Sequence, residues 1–279
     1  MSNAEIIGRE TTTGGAARRF SDRLDTLLGG PAVHRQRPPV EAPILELRHI
    51  DAGYGPFRAL FDVSFKLEPG TSTALLGSNG AGKTSVARVC SGLVEPTEGA
   101  LLFDGTHVTG YSAWEMTRLG VVHVPEGRSI FGSLSVEENL TLAFAQLLGS
   151  KKVGAGLANA YEMFPILAER RKQLAGTLSG GQQRMLSLAR AFPAPPRLLI
   201  ADELSLGLAP LIVDEVFEAL ARLRDVGSAL LVIEQHVERA TALSEHTILL
   251  HRGRVVYDGP TADVGSAIEQ VLPAAPGRA

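Results

Sequence analysis

The sequence predicts an α/β fold: a mainly parallel sheet at the centre of the chain, preceded by an antiparallel β layer. Two observations carry this. Short apolar runs alternate with amphipathic helical stretches through the middle of the chain, the pattern of a sheet covered by helices. Ahead of them, period-two alternation at Leu45 and Leu47, and again at Phe61, Val63, Phe65 and Leu67, reads as strands with one buried face. The chain of 279 residues is long enough for one large domain of this kind, and it contains no internal repeat.

Taken in order, the first forty or so residues stand apart. Gly14–Gly15, Gly29–Gly30–Pro31 and Pro38–Pro39 give them the breaker density of a tail or linker. Between these breakers, Phe20, Leu24, Leu27 and Leu28 share one face of a short amphipathic helix beside Arg18, Arg19 and Arg23. It is either a docking helix or a frayed extension. Residues 1–43 are therefore assigned to an N-terminal extension, 44–262 to the folded domain and 263–279 to a C-terminal tail. Within the domain, a strand over Thr73–Leu76 runs into a glycine-rich turn. The helix after it carries Val86, Val89, Cys90 and Leu93 at core spacing. A second helix has Met185, Leu188, Ala189 and Phe192 on one face. The buried strand Leu198–Ala201 precedes a long helix whose apolar face is Ile212, Val213, Val216, Phe217, Leu220 and Leu223. Another strand follows at Leu230–Ile233, and His251–Arg252–Gly253 joins a terminal hairpin.

Composition narrows the classes of function. Apolar residues at 44% and charged residues at 20% are those of a globular protein. A net charge of −3 argues against nucleic-acid binding driven by overall charge. The single cysteine, Cys90, excludes an intramolecular disulfide, and no apolar run reaches the roughly 20 residues that span a bilayer. Any membrane role is expected to come through partners.

The residues with chemistry fall into clusters. Gly77, Ser78, Asn79, Gly80, Ala81, Gly82, Lys83 and Thr84, followed by Ser85, match the P-loop pattern between a strand and a helix start. Its glycines let backbone N–H groups wrap a phosphate, and the helix N-terminus adds its positive dipole end. Lys83 would reach the β- and γ-phosphates of ATP, and Thr84 would ligate Mg²⁺. Asp202 and Glu203 end the strand Leu198–Ala201. Two carboxylates there are costly without a cation or a task, although acids also cap helices. Beside a phosphate loop, Asp202 is read as a Mg²⁺ ligand and Glu203 as the group that orients or deprotonates the attacking water.

The stretch Leu178, Ser179, Gly180, Gly181, Gln182, Gln183 before an amphipathic helix resembles the signature motif of ABC ATPases. It lies between the phosphate loop and the acidic strand end, in the order that family uses. The resemblance covers residues 44 to 260. It implies a P-loop NTPase of ABC type with a helical subdomain inserted at about 127–192, which docks the transporter. It also implies that Ser179, Gly180, Gly181 and Gln182 face the γ-phosphate bound to an opposite subunit, in a homodimer or a heterodimer with a related ATPase. Tyr54 resembles the aromatic that stacks on adenine, and His236 the switch histidine at the γ-phosphate. Glu126 occupies the loop that usually carries a glutamine sensing metal and membrane partner.

Leu204 departs from the proline that many relatives carry there, while Glu126 and the run Ser205–Pro210, which lacks an aspartate, resemble the ATPases of branched-chain amino-acid importers and their urea/amide relatives. The implied partners are transmembrane permeases and, indirectly, an extracytoplasmic substrate-binding protein, with the chain peripheral on the cytoplasmic face of the membrane. A soluble non-transport ABC ATPase and an exporter ATPase remain as alternatives. The first usually carries paired nucleotide units or long coiled-coil insertions, and neither is present.

Overall fold

The computed structural model describes residues 42–125, 130–190 and 195–271. Strands β1 (Leu45–Tyr54), β2 (Phe57–Leu67), β3 (Ser72–Leu76), β4 (Glu98–Phe103) and β5 (Thr106–His107) build the first part of the domain. Four of them form an antiparallel sheet in the order β2-β1-β4-β5. Strand β3 belongs instead to the second sheet, with β6 (Val121–Val124), β7 (Leu198–Asp202), β8 (Ala229–Ile233), β9 (His246–His251) and β10 (Arg254–Pro260). Its order is β10-β9-β3-β8-β7-β6, parallel throughout except for β10, which returns antiparallel to β9. Strands β3, β7 and β8 are buried along their whole length, which explains their continuous apolar runs.

Helix α1 (Lys83–Cys90) ties the two sheets together. Its Val86, Ala87, Val89 and Cys90 join one core with Leu47, Ile50 and Phe65 of the first sheet and Leu75, Ile200 and Leu231 of the second. Leu93, expected on the same helical face, lies outside the helix and is 56% exposed. Gly92 explains the difference. It turns the chain at φ +71°, and a Cβ there would meet the Tyr111 carbonyl oxygen at 2.6 Å.

Helix α2 (Ala113–Arg118) leads into β6. Between β6 and β7 the described residues hold no strand. They form α3 (Val136–Leu148), α4 (Val153–Met163), α5 (Pro165–Glu169) and α6 (Gly180–Ala189). Helix α7 (Pro210–Asp225) buries Val213, Val216, Leu220 and Leu223 and half-buries Ile212 and Phe217, on the expected face. Helices α8 (Val237–Leu243) and α9 (Gly265–Val271) are the last two α-helices among the described residues. The N-terminal amphipathic helix, Glu126 and Phe192 lie outside the described residues.

Strands β9 and β10 meet at a two-residue turn in which Arg252 and Gly253 both have positive φ, at 48° and 75°. This is the turn geometry that matches the twist of a tight hairpin. Glycine is required at the second position, because a Cβ would meet the Ala59 carbonyl oxygen at 2.3 Å. The reason for that approach is a pair of hydrogen bonds. Gly253 N–H donates to Ala81 O at 2.8 Å, and its carbonyl accepts from Phe61 N–H at 2.9 Å.

Candidate functional site

The glycine-rich loop leaves the C-terminal end of β3 and enters α1, as the sequence predicts. Gly80 and Gly82 take positive φ, 77° and 106°, a conformation that side chains resist. At Gly82 space is also limiting, since a Cβ would sit 3.1 Å from Ala59 O. Gly82 is the N-cap of α1 and no side chain caps the helix, so the first N–H groups are left to a ligand. Lys83, 4% exposed, curls back over the loop. Its Nζ donates to Gly77 O at 2.9 Å and Ser78 O at 3.2 Å. Asn79, Gly80, Gly82, Lys83, Thr84 and Ser85 line one wall of a cleft of about 740 Å³. Ala81 lies in the core beneath it.

Glu203, Leu206 and Gln235 line the same cleft, and Arg58, Phe61 and Arg252 complete its lining. Glu203 sits just past β7 with φ +48°, a strained value for a residue with a side chain. Its N–H donates to Ile233 O at 2.8 Å, which anchors it to the end of β8. One carboxylate oxygen is 3.5 Å from Lys83 Nζ, and the other accepts from Gln235 Nε2 at 2.9 Å. From behind, the Arg184 guanidinium on α6 donates to the Glu203 carbonyl at 3.3 Å and to Pro125 O at 3.2 Å. Two residues beyond Glu203, buried Ser205 is held by buried Glu234. Its N–H and Oγ donate to the two carboxylate oxygens at 3.0 and 2.6 Å.

Asp202 is fully buried at the end of β7, with Oδ2 4.0 Å from His123 Nε2. His123 also meets Ser91 Oγ through Nδ1 at 3.1 Å. Burial, with a smaller contribution from the charge of Arg88, pushes this imidazole down to about 4. It is therefore neutral at pH 7 beside the carboxylate. Among the described residues, no cluster of three or more His, Cys, Asp or Glu side chains forms a metal cage.

Tyr54 stands at the end of β1, 39% exposed. Its hydroxyl is 3.3 Å from Ser85 Oγ, and the Arg88 guanidinium lies over its ring at 5.6 Å. Ser179 caps α6 and forms a reciprocal pair with Gln182: Gln182 N–H donates to Ser179 Oγ, and Ser179 N–H to Gln182 Oε1. Ser179, Gly180, Gly181 and Gln182 do not line the P-loop cleft. His236 is exposed at the N-cap of α8, makes no capping hydrogen bond and does not line the cleft either. The structure thus brings Lys83, Thr84, Ser85 and Glu203 together and leaves His236 and the Ser179 group elsewhere on the chain. It adds Gln235, Arg184 and Glu234, which the motifs did not single out.

A phosphate loop at the end of a central parallel strand, with acids ending the strand two places away, defines a P-loop nucleotide-binding domain. Residues 60–205 match the family model described as ABC transporter. The chain is 35% identical to the high-affinity branched-chain amino acid transport ATP-binding protein BraG of Pseudomonas aeruginosa, over 81% of this chain and 94% of that one. A probable branched-chain amino acid transport ATP-binding protein, LivF of Archaeoglobus fulgidus, is 34% identical over 75% of this chain and 89% of its own length. Among solved structures, an ATP-binding subunit of an ABC transporter superposes with a TM-score of 0.71 at 28% identity, covering 82% of this chain and 95% of that one. The chain belongs to the ABC transporter family and is an ATP-binding, ATP-hydrolysing member of it. No helix among the described residues is long and apolar enough to cross a membrane.

Proposed function

We propose that this chain is the ATPase subunit of an importer for branched-chain amino acids. It would act as a head-to-tail dimer beneath transmembrane permeases on the cytoplasmic face of the membrane, supplied by an extracytoplasmic binding protein. The hydrolytic half of the reading rests on Lys83, Glu203 and Gln235 converging at the mouth of the P-loop cleft. The import half rests on similarity across nearly the whole length of BraG.

In this reading the N–H groups at Gly80, Gly82 and the start of α1 cradle the phosphates. Lys83 turns from the loop carbonyls to the β- and γ-phosphates, and Tyr54 offers its ring to adenine. Thr84 and Asp202 would hold Mg²⁺, with Glu126 in the same set. A hydroxyl and carboxylates are an oxygen-only donor set of the size Mg²⁺ takes from protein, the phosphates supplying the rest. The chemistry such an ion would supply there is neutralisation of charge developing on the phosphates. Glu203 accepts the proton of the attacking water.

Ser179, Gly180, Gly181 and Gln182 would contact the γ-phosphate held by the partner subunit, which is consistent with their not lining the cleft of their own chain. Loss of that phosphate would reopen the dimer. Permease docking would use a second groove of about 390 Å³, where exposed Leu93 and Leu147 offer an apolar seat beside Ala113 and Thr117.

Glu203→Gln tests the reading. Turnover of the purified protein should fall on the order of 100-fold or more while ATP still binds. Cells lacking the chain should lose uptake of labelled leucine, isoleucine and valine, restored by the native chain and not by the variant. Normal uptake without the chain would sink the import assignment, and normal turnover in the variant the assignment of the base.

A further inference from the structure

We infer that Arg252, at the tip of the β9–β10 hairpin, is a further nucleotide-binding residue whose guanidinium takes a phosphate of the bound ATP. The inference rests on the reading of the P-loop cleft as the ATP site. Arg252 is exposed and lines that cleft together with Lys83 and Thr84. Its side chain has no hydrogen bond, ion pair or ring contact among the described residues. The cations around it are engaged. Arg58 is ion-paired with Asp51 and lies over the Phe61 ring at 5.1 Å, and Arg254 lies over the same ring at 5.5 Å. Lys83 holds the loop carbonyls and faces Glu203, the one acid among the described residues that line the cleft. The charge of Arg252 is thus left for an anion that enters.

The hairpin is mounted on the phosphate loop itself. Gly253 N–H donates to Ala81 O at 2.8 Å, inside the loop, and the Gly253 carbonyl accepts from Phe61 N–H. One residue before Arg252 in the turn region, His251 ends β9, and Leu250 of that strand packs against both ends of the loop. A Cβ at Gly77 would meet Leu250 O at 2.5 Å, and one at Gly82 would meet Leu250 Cδ2 at 3.3 Å. The backbone that carries Arg252 is therefore fixed relative to the N–H groups that cradle phosphate. A donor whose mount is set before the ligand arrives loses less freedom on binding.

The turn is a poor place for an arginine on local grounds. Arg252 has φ +48°, where asparagine, aspartate or glycine is favoured and a long side chain is strained. Backbone strain beside a ligand cleft points to a use for the side chain. A guanidinium suits this use, because its planar fork of N–H donors matches two phosphate oxygens at once.

The test is calorimetric titration of MgATP and of inorganic tripolyphosphate into native protein, Arg252→Asn and Arg252→Lys, with Lys83→Ala as the reference. Thermal unfolding and steady-state KM are measured on each. Asparagine accepts the positive φ, so the Tm of Arg252→Asn should hold or rise. Its Kd for MgATP should nevertheless rise roughly 5- to 30-fold, with KM following. Tripolyphosphate should weaken by a similar factor, since the contact is to phosphate. Arg252→Lys keeps the charge without the fork and should fall between the two. A Kd for MgATP in Arg252→Asn within about twofold of native overturns the inference. So does weakened ATP with undiminished tripolyphosphate binding, or an affinity loss that comes with a lowered Tm. If Lys83→Ala binds MgATP as the native protein does, the reading of the cleft fails instead, which separates the two failures.

Discussion

Removing the Ser205 hydroxyl probes the buried brace beneath the site. Ser205 Oγ donates to Glu234 at 2.6 Å, with the two residues 4% and 2% exposed, so solvent cannot replace the lost partner. Ser205→Ala leaves Glu234 with the Ser205 N–H, at 3.0 Å, as its remaining donor in this pair. A hydrogen bond to a charged group contributes about 2 kcal/mol, most of which reappears as destabilisation when the acceptor stays buried. For a domain of this size, that corresponds to a fall in Tm of roughly 4–8 °C.

Urea unfolding followed by circular dichroism gives the free energy directly, and a cycle with Glu234→Gln isolates the pairwise part. Because Ser205 lies two residues from Glu203, kcat should fall with stability while ATP affinity holds. A loss of less than about 0.5 kcal/mol, or additive effects of the two substitutions, would refute the brace.

Two more outcomes follow from buried groups. His123 is held at about 4 by burial, so between about pH 6.5 and that value the unfolded chain binds more protons than the folded one. The stability present above this window is lost as pH falls through it, and His123→Gln should flatten the fall of the urea midpoint between about pH 7 and about pH 4.5. An equally steep decline in the variant would mean that another group governs acid sensitivity. Burial also pushes the Cys90 thiol up to about 12. At about pH 8, alkylation should therefore wait on unfolding and follow the global transition in urea; rapid labelling of the folded protein would contradict the packing of α1.

The parts of the site legible in the sequence were those whose chemistry is local. Gly80 and Gly82 announce a backbone turn, Lys83 and Thr84 follow at fixed offsets, and Ser179 with Gln182 is a capping pair three residues apart. The run Leu198–Ala201 gave away β7 because a parallel strand is buried on both faces. Gln235 was not legible in the same way. Which of Glu234, Gln235 and His236 faces the cleft depends on how the chain leaves β8. That exit is fixed by the bond of Glu203 to Ile233 O, between residues 30 positions apart. Arg184 was hidden for a similar reason, since its partners are carbonyl groups at Pro125 and Glu203. Leu93 fitted the helical period but fell beyond Gly92, whose close approach to Tyr111 is a tertiary contact. The glycine itself, placed just after the last core position, was the local cue that the helix stops there.

The hairpin turn at Arg252–Gly253 has a consequence for biosynthesis. The phosphate loop appears early in the chain, yet Ala81 is backed by an N–H that belongs to residue 253, and the same glycine is bonded to Phe61. A ribosome that has delivered the loop, α1 and both acids has still not delivered the support on which the loop rests. The nascent chain should gain nucleotide affinity in one late step, when the β9–β10 hairpin emerges and docks, and truncation before residue 253 should leave every phosphate-binding motif present but its cradle unbraced.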